Sequence, residues 1–143
     1  MHLCTLVKYL LIQSEPFKYP WEQLKKDKET YWDGVRNYQA RNNMKLMEKG
    51  DPLFFYHSNE GKEIVGIAEV SRTFYQDPTT DDERWVVMDV KPVKDLKNPV
   101  TLAAIKANPN LEGIGLVRQM RLSVVELTEP EFNEILKMSE TNG

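Results

Sequence analysis

The chain has 143 residues, one cysteine and a formal net charge of −3, which argues against a second domain, an internal disulfide and a uniformly basic nucleic-acid binder. With 41% hydrophobic and 29% charged residues, it has the composition of a globular domain. A chain of this size buries about 70% of its unfolded surface with no need of a structural metal.

The opening MHLCTLVKYLLIQSEP has no basic leader, and Lys8 interrupts its apolar run. We therefore expect one domain over residues 1–143 with no membrane segment, cytoplasmic or compatible with a nuclear address. Thr5 to Gln13 has strand composition. Ser14-Glu15-Pro16 turns the chain, because Pro16 holds Glu15 extended. Pro20 suits the first turn of a short helix carrying Trp21 and Leu24. Tyr38 to Glu48 predicts a second helix with Met44 and Met47 on one face, closed by a left-handed cap at Gly50. Pro52 to Ser58 reads as a buried strand, NEGK as a turn, and Glu63 to Tyr75 as a long returning strand. The acidic QDPTTDDE reads as a solvated loop before a third strand, Trp85 to Val93. Thr101 caps a short helix that must stop before Pro109. Arg121 to Leu127 is the last strand. Thr128 and Glu131 then have capping-box spacing for a final helix that turns Phe132, Ile135 and Leu136 inward. Strands with short helices between them predict an α+β domain whose mixed sheet curls toward a barrel.

Catalytic patterns fail one by one, so no enzyme is expected. Two histidines and one cysteine give no zinc-ligand spacing, and no cofactor or metal is expected. His57 and Ser58 are neighbours on a strand, where alternate side chains face opposite ways, so they do not form a base–nucleophile pair. Asp77, Asp81, Asp82 and Glu83 lack calcium-loop spacing. Gly113-Ile114-Gly115 lacks the third glycine of a dinucleotide motif. Glu15 and Asp33 are the remaining candidate bases, and both are more simply structural.

Cations and amides gather in two segments instead. Trp32 to Lys49 holds Arg36, Arg41, Lys45 and Lys49 against Asp33 and Glu48, and Lys106 to Ser123 holds Lys106, Arg118 and Arg121 against Glu112. Brought together, they would form a basic face suited to phosphates. Beside them, Tyr31, Trp32, Tyr38 and Tyr56 could stack bases, and Asn37, Gln39, Asn42, Asn43 and Gln119 could read base edges. The simpler alternative, that the aromatics are core and the cations a solvated helix face, is open at this point.

Ser14-Glu15-Pro16, WDGVRNYQARNN (residues 32–43), FYHSNEGKEIVGIAEV (55–70) and RQMRLSV (118–124) resemble the EVE domain of the PUA-like superfamily, in that family's order from Tyr9 to Met138. The resemblance implies a PUA-like mixed β-barrel of about five to six strands flanked by short helices, with a pocket between barrel and helices. It also implies a module that recognises a modified, flipped nucleobase in DNA or RNA. Carried over by motif, Ser14, Trp32, Arg36, Asn37, Tyr56, Ser58, Arg118 and Gln119 fall at or near that pocket. The expected mechanism places the base against Trp32 or Tyr56, with Ser14, Asn37, Ser58 and Gln119 around its edge. Arg36, Arg41, Arg118 and Arg121 would hold phosphates or brace the rim. An apolar wall would favour a methyl-sized group by ~1 kcal/mol per buried carbon. Leu10 and Gln13 depart from the family's usual Trp and Lys, which removes one cation. The anionic net charge keeps an alternative open: a pocket for a free metabolite such as a nucleoside or purine derivative.

Overall fold

The computed structural model describes residues 9–14, 19–32, 38–58, 62–111, 113–114 and 124–141. At its centre, strands β1 (Tyr9–Ser14) and β3 (Pro52–His57) run parallel, with Leu10 opposite Leu53 and Ser14 opposite His57. Burial on both faces fits a parallel pair, and β1 and β3 accordingly read as near-continuous apolar runs. Around them, β2 (Thr30–Tyr31), β4 (Glu63–Gln76), β5 (Val86–Thr101) and β6 (Val124–Leu127) complete one six-stranded sheet in the order β2-β5-β4-β3-β1-β6. Every pairing other than β1–β3 is antiparallel.

Repeated register shifts along β4 and β5 bend this long pair, as bulges do in sheets that curl. Helix α2 (Tyr38–Lys45) reaches both flanks of the curl. Asn43 Nδ2 donates to the Val124 carbonyl of edge strand β6 at 2.9 Å, while Arg41 Nη1 donates to the carbonyl of Arg84, two residues before β5, at 3.3 Å. The helix thereby draws the open sheet toward a barrel. Helix α1 (Trp21–Asp27) lies on β4 and β5: the Trp21 indole covers Gly66, and its Nε1–H donates to Asp95 at 2.5 Å. Helix α4 (Glu129–Thr141) stacks Phe132 on Phe54 with centroids 4.2 Å apart. Helix α3 (Leu102–Ala107) and the 3₁₀ turn Pro109–Leu111 complete the described elements.

Several terminal signals act as the sequence predicts. The Thr101 hydroxyl accepts from Ala104 N–H at 3.1 Å. Thr128 and Glu131 exchange both bonds of a capping box, at 2.9 and 3.2 Å. Phe132 and Ile135 are buried and Leu136 is partly so.

Other boundaries differ, each for a physical reason. Pro20 sits at the N-cap with extended backbone (φ −79°, ψ 163°), one place before the helix, and its carbonyl accepts from Gln23 N–H at 3.0 Å. Helix α2 ends at Lys45, since Leu46 and Met47 already bond three residues back, the tightening common in a last turn. Gly50, at φ +93°, serves the turn from Glu48 to Asp51 rather than a helix cap, and its N–H donates to the Val70 carbonyl. Asp77 is fully buried, contrary to a wholly solvated loop, and accepts from both the N–H and the hydroxyl of Thr79. The first eight residues of the chain and residues 121–123, expected to begin the first and last strands, lie outside the described residues.

Candidate functional site

The parallel strands β1 and β3 end side by side, and the Ser58 N–H donates to the Ser14 carbonyl at 2.9 Å, extending their pairing by one residue. Two of the expected site residues therefore meet through the backbone. The Ser14 hydroxyl, nearly buried, donates to the Tyr19 carbonyl at 2.5 Å and fixes the chain just before α1. His57 Nε2 accepts the first helical N–H, that of Trp21, at 3.0 Å. The imidazole is thus neutral, with its proton on Nδ1. Burial pushes its pKa below the ordinary 6.5, against an opposing pull from Glu63 and Glu22.

Trp32 follows β2, and its N–H donates to the Met88 carbonyl of β5 at 2.8 Å. Its indole is 9% exposed and meets Tyr19 and Phe55 nearly edge-on, at 77° and 80°. No described ring lies stacked face to face on it. Phe55 also contacts Trp21 and His57, so Ser14, Tyr19, Trp21, Trp32, Phe55 and His57 form one cluster at the carboxyl ends of β1 and β3. The Tyr19 hydroxyl donates to Asp27 at 2.7 Å, and burial followed by that carboxylate raises its pKa to about 12.

Tyr56 takes a different place. Strand alternation puts it with Phe54, whose ring stacks on Phe132, on the face opposite Phe55 and Trp32. It is buried, and burial raises its hydroxyl pKa. Arg41 is also elsewhere: it lies on α2 with its guanidinium 4.9 Å from the Tyr38 ring centre, and it donates to Asn42 and to the Arg84 carbonyl. Arg36, Asn37, Arg118, Gln119 and Arg121 lie outside the described residues. Leu10 is buried in the core, where the family's usual aromatic would stand.

Sequence reasoning did not single out Tyr19 and Trp21 as members of this cluster, and it gave His57 no role there. The available signal was the aromatic pair flanking Pro20, just after the SEP turn. Among the described residues no group of three or more His, Cys, Asp or Glu side chains could hold a metal ion. No helix among them is long and apolar enough to cross a membrane.

Comparison with known proteins places this arrangement in a family. The EVE domain model matches residues 8–138. The chain is 35% identical to thymocyte nuclear protein 1 of Mus musculus, over 96% of this chain and 76% of that protein. The solved structure of Atu2648 from Agrobacterium tumefaciens superposes with a TM-score of 0.91 at 48% identity, covering 93% of each chain. Human THYN1 in complex with DNA containing 5-methylcytosine superposes at 0.87 with 31% identity, covering 95% of this chain and 99% of that one. The YTH domain of Zygosaccharomyces rouxii MRB1, solved with N6-methyladenosine RNA, shares the fold at 0.55 and 16% identity, covering 100% of this chain and 93% of that one. The fold is PUA-like, and the chain belongs to the EVE-domain family.

Proposed function

We propose that this protein is a non-catalytic module that binds nucleic acid and recognises a modified base turned out of its stack. The observation that carries the proposal is the superposition, over 95% of this chain, on human THYN1 bound to 5-methylcytosine DNA. The local geometry supports it. The base enters beside Trp32, whose indole has edge-on neighbours and no described stacked one, and base–aromatic stacking contributes about 1–3 kcal/mol. Ser14 and Ser58, joined at the strand ends, border the base edge: the Ser14 hydroxyl, whose proton goes to the Tyr19 carbonyl, accepts from it, and the Ser58 hydroxyl donates or accepts. Asn37 and Gln119 complete that edge, and Arg36, Arg118 and Arg121 hold the rim. Tyr56 acts from behind as a buried support. His57 supports the reading of binding without catalysis: its one basic nitrogen is engaged by the Trp21 N–H, so it is not available as a general base.

The test is fluorescence anisotropy on matched 12-base-pair duplexes with cytosine or 5-methylcytosine at one position, extended to N6-methyladenine in DNA and RNA. At least one modified duplex binds more tightly than its plain counterpart, and Trp32→Ala removes the preference. Equal affinity for every modified and plain pair would overturn the proposal.

A further inference from the structure

The outward side of α2 carries Tyr38, Arg41 and Lys45, spaced three and four residues apart and so aligned in one stripe. Tyr38 is 51% exposed, and Phe74 of β4, beside the stripe, is 42% exposed. Lys45 Nζ lies 5.6 Å from the centre of the Phe74 ring. Among the described residues, the partners of Arg41 are neutral: the Asn42 side-chain oxygen, the Arg84 carbonyl and the Tyr38 ring. Among the described residues, neither Arg41 nor Lys45 has a carboxylate at ion-pair distance.

Arg84 differs in kind. Its guanidinium is spent on Asp82, with contacts of 2.6 to 3.1 Å, and its remaining Nη1 donates to the Tyr38 hydroxyl at 3.0 Å. Tyr38 is therefore held by a hydrogen bond while it stacks on Trp85 at 5.2 Å and 30°. The result is a fixed, exposed aromatic platform beside two cations without acidic partners among the described residues, in a chain whose net charge is −3.

We propose that this stripe is the contact surface for the nucleic-acid strand flanking the recognised base. Arg41 and Lys45 hold phosphates, Tyr38 stacks a flanking base or sugar, and Phe74 borders the track. The proposal rests on the nucleic-acid function above and extends it to the polymer. Charge complementarity identifies the occupant, because cations without a carboxylate among the described residues, interleaved with exposed rings, match a chain of alternating phosphates and bases. The spacing agrees. Trp32 bonds to Met88, and Trp85 is three residues upstream along extended chain, a separation of roughly 10 Å. Stacked nucleotides advance about 3.4 Å each along a strand, so the platform is two or three nucleotides from the base site. Asp81 and Glu83 would repel phosphate, so the track follows α2 toward Lys45 and away from their loop.

The experiment measures anisotropy of a labelled plain 12-nucleotide DNA strand, its RNA equivalent and a 5-methylcytosine 12-base-pair duplex across a salt series. Arg41→Ala and Lys45→Ala each weaken all three and lower the salt slope by about one unit, while Lys45→Arg retains the slope. Tyr38→Ala weakens binding roughly tenfold with the slope unchanged, as loss of stacking does. Lys97→Ala, toward the far end of β5, is neutral. Circular dichroism melts confirm that each variant is folded. Slopes unaltered by both cation variants, or no binding of any of the three probes, would overturn the proposal. The base-reading function is scored separately by wild-type preference for 5-methylcytosine over cytosine. Loss of that preference alone with the slope changes intact leaves the stripe standing, and the reverse removes the stripe alone.

Discussion

A methyl group at Gly66 would lie 2.7 Å from Cη2 of the Trp21 indole and closer still to two other ring carbons. The glycine is required here by close approach, since it lets α1 press a flat ring onto β4. Gly66→Ala forces the indole off the sheet and strains its bond to Asp95, costing about 1–3 kcal/mol as overpacking does. Urea denaturation measures this loss, and the Gly66→Ala/Trp21→Phe pair recovers part of it in a double-mutant cycle. An Ala variant as stable as the wild type would contradict that packing. His57, at the end of β3, couples the same helix to pH. The folded protein binds the imidazole proton less readily than the unfolded chain does, because burial lowers the pKa from 6.5 and the Trp21 N–H needs the lone pair. Its contribution to stability is complete above the unfolded pKa. That contribution falls as pH drops from about 6.5 toward the lower folded value, where the loss levels off. His57→Gln places a non-titrating acceptor in reach of the same N–H. The wild type therefore loses more stability than this variant between pH 7.5 and 5, measured by urea denaturation at several pH values. Identical pH profiles would show that His57 does not titrate with folding.

Helix α2 joins the two flanks of the sheet through the side chains of Arg41 and Asn43, and the buried one is Asn43 on the Val124 carbonyl. Asn43→Leu keeps similar volume but leaves that carbonyl without its donor, at a cost of about 1–3 kcal/mol. Hydrogen exchange of β6 and α2 should rise together in this variant; a change confined to α2 would show that the bond does not tie the helix to the edge strand. Elements with local signals were legible in the sequence. Thr101 and Thr128 marked helix starts, because a cap is a contact between residues three apart. Strand β2 was not legible, since two residues carry no period and form a strand only against Asp89 and Val90. The part of β5 beyond Val93 was hidden, because its polar run ends at Pro99, which interrupts a strand pattern. Past Val90, no described strand pairs with the other side of β5, and a strand with one side unpaired is where proline is tolerated.

At the scale of the molecule, the site was legible only where a motif carried it. Ser14, Trp32 and Ser58 belong to the runs that resemble the EVE domain, and Ser14 and Ser58 meet at the strand ends. The positions of Tyr19, Trp21 and His57 depend on pairing between segments more than thirty residues apart, as in the Trp21–His57 bond, and no local pattern encodes such a contact. Tyr56 illustrates the converse: its one-residue offset from Phe55 decides which face it serves, and that follows from β3 being a strand. What the whole fold binds can be measured through its stability, because a ligand that binds only the folded state raises the unfolding free energy by RT ln(1 + [L]/Kd). At one hundred times Kd this is about 2.7 kcal/mol. For a chain near 150 residues each kcal/mol raises Tm by roughly 2–4 °C, so a saturating ligand shifts it by about 5–10 °C. A 5-methylcytosine duplex and free 5-methyl-2′-deoxycytidine, each titrated in a melt at low salt, separate the two classes of ligand. If phosphates flanking the base contribute, the duplex reaches this shift at far lower concentration than the nucleoside, and its advantage shrinks as salt is raised. A nucleoside shift as large at equal concentration, and insensitive to salt, would identify the protein as a receptor for the free small molecule.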